Sequence, residues 1–263
     1  DGSRSTSPSG AVTRYEWSVE QPPGSRSSFA RALPTHLDPR PSFEANVAGR
    51  YSFKLKVTDE TGAVSCAPAV AEVDVVPDQA IHVELLWNTP GDPDQTDVGA
   101  MTGADLDLHF LNPRATGFDV DQDGEPDGWF DTPFDCFWFN PKPDWGSANP
   151  MAGDDPGLDR DDTDGAGPEN LNINLPEDGS VYRIGVHAWD DHGYGQSFAT
   201  LRIYIRGDLA WEKKDVKLAS KDLWWVGTVE WPSGAITPFS GDHPGGVRVS
   251  PGYVPPTFGT PND

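Results

Sequence analysis

Sulfur-containing residues are scarce in this 263-residue chain, which has two cysteines and two methionines. The cysteines, Cys66 and Cys136, lie far apart and match no metal-ligand spacing, so a cysteine-based zinc site is excluded. In an exported protein such a pair forms a disulfide, and we expect one between these two residues. The alternative is two separate buried thiols.

Long apolar segments and helical patterns are also lacking. No apolar run approaches the roughly 18 residues that a membrane span requires, so we expect no membrane span. No charged-then-apolar leader is present either, and we expect any export signal to lie outside these residues. No window repeats apolar residues at helical spacing over ten or more positions.

Basic residues are few. The chain has 19 of them against 42 acidic residues, which gives a formal net charge of −23. This charge repels both a phosphate backbone and an anionic membrane surface. Nucleic acid is therefore excluded as a partner, and cations are favoured.

What the chain does contain is typical of a folded β protein. It has 28 glycines and 26 prolines, which favour turns, and its ten Trp, twelve Phe and six Tyr are too many for a disordered tract. Apolar and polar residues alternate in 51–57, YSFKLKV, and in 81–87, IHVELLW. This alternation predicts half-buried strands, so the fold class is all-β.

The length fits two β-sandwich domains in tandem. Strands near 12–20, 50–58 and 68–76 predict a small domain over 1–77, and Pro77 and Asp78 mark a short joint. A larger sandwich with long acidic loops follows over 80–240, and 241–263 reads as an extended Pro/Gly-rich tail. The strands of the larger domain are predicted near 81–88, 104–111, 134–140, 170–175, 180–189, 197–206 and 222–231.

Three stretches of the first domain, DGSRSTSPSG, YEW and AGRYSFKLKVTDETGAVS, together resemble the polycystic-kidney-disease (PKD) type domain. The resemblance implies an immunoglobulin-like fold in a secreted bacterial protein. It places Asp1 just after the family's first strand, so that strand is expected to be missing here. The matching positions are Gly49, Tyr51, Val57, Thr58, Asp59 and Gly62.

Acidic residues concentrate at two places that one cation site would bring together. Asp105 and Asp107 lie two apart on a predicted strand, so both carboxylates point to the same face and need a cation between them. The loop 154–170 is rich in Asp and Gly, which supply the oxygen ligands and tight turns that Ca²⁺ sites use. The predicted ligands are Asp105, Asp107, Asp154, Asp155, Asp159, Asp161, Asp162, Asp164 and Glu169.

The order of elements over residues 81–207 supports the same site. The Asp-Leu-Asp strand, the aromatic stretch DCFWFN, the acidic loop and the paired strands after it resemble the calcium-binding β-sandwich of tellurium-resistance (Ter-type) and related bacterial domains. The resemblance implies Ca²⁺ as the bound ion. The alternative is a solvated acidic loop, which is what charge runs usually are.

A second acidic cluster, DVDQDGEPDGWFD, has the alternating Asp pattern of short calcium loops. It resembles the aspartate loops of thrombospondin type-3 repeats, which implies a further Ca²⁺ held by Asp119, Asp121, Asp123 and Asp127. We therefore expect one to three calcium ions in all. A solvated loop is again the alternative.

Signals for catalysis are weak, and we expect no enzyme activity. The six histidines show no zinc-protease spacing. The stretch HAWDDHGYGQS reads as a hairpin connection between two alternating strands, because its glycines suit a turn. Carboxylates committed to a cation have lowered pKa values and make poor general acids.

These features together predict an exported, calcium-binding, non-catalytic protein of the bacterial cell surface or matrix, with a structural or adhesive role. Its expected partners are calcium and copies of itself or other surface proteins. The alternative is a calcium-dependent carbohydrate-binding module or an accessory domain of a secreted hydrolase, since aromatics beyond the needs of a core can stack on glycans. Trp129, Trp145, Trp189, Trp211, Trp224, Trp225 and Trp231 include more than a core needs: core packing explains most of them, and one or two are left to stack on a sugar.

Overall fold

The protein is all-β, as predicted. The structure is a computed structural model that describes residues 1–27, 37–96, 103–120, 123–147, 149, 151–163, 165–255 and 257–258. Contacts divide the chain into two compact units, Asp1–Val76 and Pro77–Asp263. The described residues contain no helix, and hence none that could cross a lipid bilayer.

The first unit contains one antiparallel sheet of three strands in the order β1-β2-β3. Its strands are β1 (Val12–Glu20), β2 (Gly49–Asp59) and β3 (Ala69–Val75), close to the predicted positions. Alternation on β2 buries Tyr51 and Leu55, and the Tyr51 hydroxyl donates to the Val47 carbonyl at 2.9 Å. A second sheet, which the predicted immunoglobulin-like sandwich requires, is not among the described residues of this unit.

The second unit is built from two sheets. The five-stranded sheet has the order β11-β10-β4-β8-β7, and all of its neighbouring strands are antiparallel. Its strands are β4 (Ile81–Asn88), β7 (Gly157–Arg160), β8 (Glu169–Ile173), β10 (Ser197–Ile205) and β11 (Asp208–Leu218).

The seven-stranded sheet has the order β14-β15-β12-β9-β5-β6, and β13 also pairs with β12. Only the β14–β15 pair is parallel among these described strands. Its strands are β5 (Asp105–Leu111), β6 (Asp135–Cys136), β9 (Val181–Asp190), β12 (Leu223–Glu230), β13 (Ala235–Pro238), β14 (Ser240–His243) and β15 (Val247–Ser250).

The main core lies between these two sheets. Side chains of β4, β8 and β10 from one sheet join those of β5, β9 and β12 from the other in one buried apolar cluster. Leu106, Leu108 and Phe110 are the β5 members of this cluster, and all are at most 1% exposed. Burying each such side chain contributes about 2 kcal/mol, so the register of β5 is strongly fixed by this face.

A second apolar cluster covers the other face of β5. It includes Trp129, Phe130, Phe137 and Tyr253. His109 on that face contacts three of these aromatic rings and is completely buried. The polar residues of β5 therefore lie beneath aromatic loops and not in open solvent.

The C-terminal stretch differs from the expected free tail. Residues 240–250 form β14 and β15, and β15 pairs with β12. Tyr253 is buried, and its hydroxyl donates to Asp127 Oδ2 at 3.1 Å. This packing was not predicted, because a Pro/Gly-rich stretch with few apolar residues shows no alternation of apolar and polar residues.

Three other expectations about strands were wrong. The strand expected at 134–140 is reduced to Asp135–Cys136, because Phe137 and Asn140 exchange backbone hydrogen bonds in a tight turn. β11 was missed since its charged residues and two register shifts against β10 obscure the alternation. The loop 191–196 is not a hairpin, because β9 and β10 belong to different sheets and the loop carries the chain between them.

Candidate metal centre

Three buried carboxylates meet beside β5. Asp105, Asp107 and Glu169 are 8%, 2% and 0% exposed, and each offers an oxygen that lies within 4.8 Å of the other two. Asp105 and Asp107 belong to the seven-stranded sheet, whereas Glu169 is the first residue of β8 in the five-stranded sheet. We call these three residues the acidic triad.

Local pairing explains why Glu169 reaches β5. β6 pairs with β5 only at Phe110 and Leu111, so the preceding part of β5 has no strand partner on that side within the described residues. Glu169 Oε2 accepts the Leu108 N–H at 2.7 Å and takes the place of a strand carbonyl. The side chain is thereby held against the strand that carries the two aspartates.

Burial and mutual repulsion make the triad unfavourable as three bare charges. Burial, followed by the charge of Asp107, raises the pKa of Asp105 to about 9. Burial also raises the pKa of Asp107 to about 7. The pKa of Glu169 is well above its usual range, chiefly because of burial and then because of Asp107. Such carboxylates must either retain protons or share a cation.

Two of the triad oxygens make no compensating hydrogen bond. Asp105 Oδ1 and Asp107 Oδ2 are buried and have no hydrogen-bond partner in the described part of the chain. Leaving buried polar atoms unsatisfied is costly, and a bound cation is the usual compensation for clustered carboxylates.

A cavity of about 180 Å³ opens over the two aspartates of the triad. Asp161 and Thr163 are exposed at its rim, and Trp138 and Trp189 are half-buried. The cavity lining comprises Asp105, Asp107, Trp138, Asp161, Thr163 and Trp189. The triad therefore has a buried side against the sheets and an accessible side toward this cavity.

The donor set fits a hard divalent cation. Every triad ligand is a carboxylate oxygen, and Asp161 is a further carboxylate that lines the cavity beside the triad. Hard cations such as Ca²⁺ take about six to eight oxygen ligands, and water completes the set where protein oxygens fall short. The triad and Asp161 supply a large part of such a shell, with the remainder open to the cavity.

The acidic loop contributes fewer ligands than predicted. Asp161 borders the triad, and the buried Asp162 donates its backbone N–H to Glu169 Oε1 at 3.4 Å. Asp164 lies outside the described residues. Glu169 lies beside Asp105 and Asp107, as predicted. It is, however, the first residue of β8 and not part of a flexible loop.

The other described loop aspartates, Asp154, Asp155 and Asp159, do not belong to the triad, and their role as ligands stays a prediction. Asp154 Oδ2 accepts the Ser147 N–H at 2.7 Å, and Asp155 Oδ1 accepts the Trp145 N–H at 2.6 Å. Asp159 is exposed and bonds with the Asn172 side chain. These carboxylates bind backbone or side-chain donors that shape the loop, which residue composition alone does not reveal.

Carboxylates of the second acidic cluster also accept hydrogen bonds from backbone N–H groups. Asp119 accepts the N–H groups of Asp123 and Gly124 at 3.1 and 3.0 Å, and Asp127 accepts that of Val120 at 2.8 Å. Asp121 lies outside the described residues. Within the described ranges, Asp119, Asp123 and Asp127 form no group with metal-ligand spacing, so the structure does not support the predicted second calcium site.

Sequence analysis gave no role to His187, Thr163 or Trp138, and it did not place Trp189 beside the triad. His187 pairs with Asp107 across β5 and β9, and Trp189 follows on the same face of β9. Thr163 and Trp138 join the cavity from loops. Period-two alternation places Trp189 on the face of His187, but the register that brings both beside Asp107 is not readable from either strand alone.

The expected disulfide does not form. Cys66 is an exposed free thiol and Cys136 is a buried one. Cys136 is part of the core of the second unit, where its Sγ donates to the Pro141 carbonyl at 3.5 Å. Burial raises the pKa of this thiol well above its usual range.

Fold and site together define an all-β protein whose described residues include a buried acidic triad suited to a metal ion. Comparison with protein-family models, curated proteins and solved structures found no match to the chain. The resemblances to PKD-type and Ter-type domains therefore stay predictions from sequence.

Proposed function

We propose that the protein is an exported, non-catalytic calcium-binding protein of the bacterial surface, in which the acidic triad holds Ca²⁺. The observation that carries this proposal is the pair of buried oxygens, Asp105 Oδ1 and Asp107 Oδ2, that have no hydrogen-bond partner in the described chain and lie beside Glu169. A divalent cation compensates the repulsion among these charges.

The cation has a structural role in this proposal. Glu169 comes from the five-stranded sheet, and Asp105 and Asp107 come from the seven-stranded sheet. An ion shared by the three carboxylates ties the two sheets together on the side of β5 that faces away from β9, where the described residues provide no second strand partner. Because the ion binds only the folded arrangement, its binding free energy adds to the stability of the second unit.

Calcium suits the donor set better than softer metals, which prefer nitrogen or sulfur ligands. An all-oxygen site with several carboxylates and an accessible side for water is typical of Ca²⁺ coordination. Extracellular fluids supply calcium at concentrations that weak surface-protein sites use, which is why we place the protein outside the cell. The net charge of −23 is consistent with a cation-rich environment.

A catalytic role is not part of the proposal. A cation bound by the triad holds its carboxylates ionised and coordinated, which makes them poor general acids. We therefore propose a structural or adhesive role, with copies of the protein or other surface proteins as partners.

Calorimetric titration of the chelator-treated protein with CaCl₂, MgCl₂ and ZnCl₂ tests the proposal. We expect calcium to bind and to raise the melting temperature of the second unit. Asp105→Asn removes a ligand charge with little change in size and should weaken calcium binding at least about tenfold, which is about 1.4 kcal/mol. Asp159→Asn is the matched control, since Asp159 lies in the same loop region but outside the triad.

Two outcomes contradict the proposal. One is a melting temperature that is the same in calcium and in chelator. The other is a calcium affinity that Asp105→Asn leaves at the wild-type value.

A further inference from the structure

The accessible side of the triad faces an aromatic cavity, and this deepens the proposed function, on which it rests. Asp105 and Asp107 line that cavity with their buried carboxylates. A cation held by the triad therefore presents its remaining coordination positions to the same cavity. Those positions are filled by water or by oxygen atoms of a ligand that enters.

The walls of the cavity suit a ligand with an apolar face. The rings of Trp138 and Trp189 lie 5.5 Å apart between centroids at 66°, so they form a corner. Lys221 Nζ lies 4.5 Å from the centroid of the Trp189 ring and fixes that side chain. The Trp138 Nε1–H is buried and has no hydrogen-bond partner in the described structure, which leaves a donor in the wall.

Charge excludes anionic ligands from this cavity. The triad carries three carboxylates and Asp161 adds a fourth at the rim, whereas Lys221 supplies one positive charge nearby. A divalent ion therefore still leaves the site negative overall. A phosphate or carboxylate ligand would be repelled by this surplus, whereas a neutral ligand would not. Neighbouring hydroxyl groups can supply two neutral oxygens to one cation.

The size of the cavity limits the ligand further. Pockets for drug-sized molecules are about 300 to 1,000 Å³, and this one is smaller, at about 180 Å³. It accommodates one small ring and not a long chain. With a cation held by the triad, the cavity offers open coordination positions, two aromatic walls, the Trp138 indole donor and the Thr163 hydroxyl.

We propose that this cavity is a cation-dependent binding site for the vicinal hydroxyls of a single neutral sugar residue, such as the end of a glycan. Two adjacent hydroxyls replace water on the ion. The C–H face of the ring packs on Trp189, and Trp138 Nε1–H donates to a ring or hydroxyl oxygen.

Calorimetry and tryptophan fluorescence with methyl glycosides test this site in the full chain. We expect the methyl glycosides of mannose, galactose and fucose to bind in CaCl₂ and to be released by chelator. A fully O-methylated glycoside, which lacks free hydroxyls, and a glucuronide, which is anionic, should not bind. Binding that persists in chelator, or a glucuronide that binds as tightly as the neutral glycosides, overturns the inference.

Variants of the walls separate the sugar site from the cation site. Trp189→Ala should weaken sugar binding at least about tenfold while calcium affinity changes by less than about twofold. Trp138→Phe keeps the ring and removes the donor, and should weaken sugar binding by a smaller factor. Trp211→Phe is the aromatic control, because Trp211 lies on β11 and does not line the cavity.

The result also distinguishes this inference from the proposed function. If calcium binds and stabilises the protein but no neutral glycoside binds, the sugar site is refuted and the calcium-binding function stands. If calcium itself does not bind, both are refuted.

Discussion

His187 Nδ1 lies 3.9 Å from Asp107 Oδ2, and both atoms are hydrogen-bond acceptors. The ring hydrogen of His187 is on Nε2, because Nε2 lies 2.9 Å from the Tyr253 carbonyl oxygen, which can only accept a hydrogen bond. Nδ1 therefore carries no hydrogen. Burial also lowers the pKa of His187 to about 3, so the ring is neutral at neutral pH. His187 therefore gives Asp107 neither a proton nor a positive charge, so compensation for this buried carboxylate comes from Lys221 and from a retained proton or a bound cation.

The first prediction concerns Asp107→Asn. This change removes a buried charge, and the new amide can donate to His187 Nδ1. We expect the chelator-treated variant to melt several degrees above the chelator-treated wild type, since about 1 kcal/mol shifts the melting temperature by roughly 2–4 °C in a unit of this size. We expect its calcium-dependent stabilisation to be largely lost. Differential scanning calorimetry in chelator and in CaCl₂ measures both effects.

The control for this prediction is Asp155→Asn, whose Oδ1 accepts a backbone N–H and lies outside the triad. It should not stabilise the metal-free protein. A metal-free Asp107→Asn protein that is less stable than wild type would contradict the prediction.

The second prediction concerns pH. Burial raises the pKa of Asp105 to about 9 and that of Asp107 to about 7, against 3.8 for an ordinary aspartate. The metal-free folded protein thus binds more protons than the unfolded chain in this window, and its free energy of unfolding falls as pH rises from about 4 to about 9. Calcium displaces these protons, so its apparent affinity should rise over the same range.

Melting temperatures in chelator and in CaCl₂ at several pH values measure this effect. The difference between the two conditions should widen as pH rises. A difference that is constant from about pH 5 to about pH 9 would show that the triad carboxylates do not exchange protons for the ion.

The third prediction concerns the first unit. Asp59 is buried at the end of β2 and accepts hydrogen bonds from Ser7 Oγ at 2.6 Å and from the Thr61 hydroxyl at 2.7 Å. These bonds lower its pKa to about 2. Its contribution to stability is present above the ordinary aspartate pKa and is lost as pH falls toward 2. Asp59→Ala should therefore destabilise the first unit at neutral pH. The variant should also lose the part of the pH dependence of stability that comes from Asp59.

Asp74→Ala provides the comparison for Asp59. Asp74 forms an exposed ion pair with Arg50 on the same sheet, and exposed pairs of this kind contribute little to stability because solvent screens them. Urea unfolding of each variant, monitored by amide hydrogen exchange in residues 1–76, measures the loss of stability. If Asp59→Ala and Asp74→Ala lower the free energy of unfolding equally, the hydrogen bonds of Asp59 do not stabilise the first unit as predicted.

The fourth prediction concerns the thiols. Cys66 is exposed and should react with an aromatic disulfide reagent in the native protein, whereas the buried Cys136 should react only after unfolding. The unreduced, denatured protein should therefore release two equivalents of thiol, and Cys66→Ser should abolish the native reaction. A denatured protein without reactive thiols would show a disulfide instead.

Sequence alone determined the all-β class, part of the strand content and the carboxylate pair on β5. Period-two alternation is a local property, so it predicted β1, β2, β4 and β5 and showed that Asp105 and Asp107 share a face. It failed for β11, whose partner β10 is offset by register shifts, and for β14 and β15, which lie in a Pro/Gly-rich stretch. These segments become strands because neighbouring strands provide hydrogen-bond partners for their backbone. That pairing cannot be predicted from the residues of the segment alone.

Only the tertiary structure decided which acidic residues form the site. The sequence offered nine candidate ligands with equal chemistry, and composition could not distinguish Asp154 or Asp155, whose carboxylates bind backbone N–H groups, from Glu169. At Leu108, β5 pairs with β9 on one side and with no described strand on the other. Glu169 joins Asp105 and Asp107 because its carboxylate, from the other sheet, takes that open side. The burial that makes the triad a candidate metal centre follows from the packing of two sheets, a property of the whole unit and not of any short stretch of sequence.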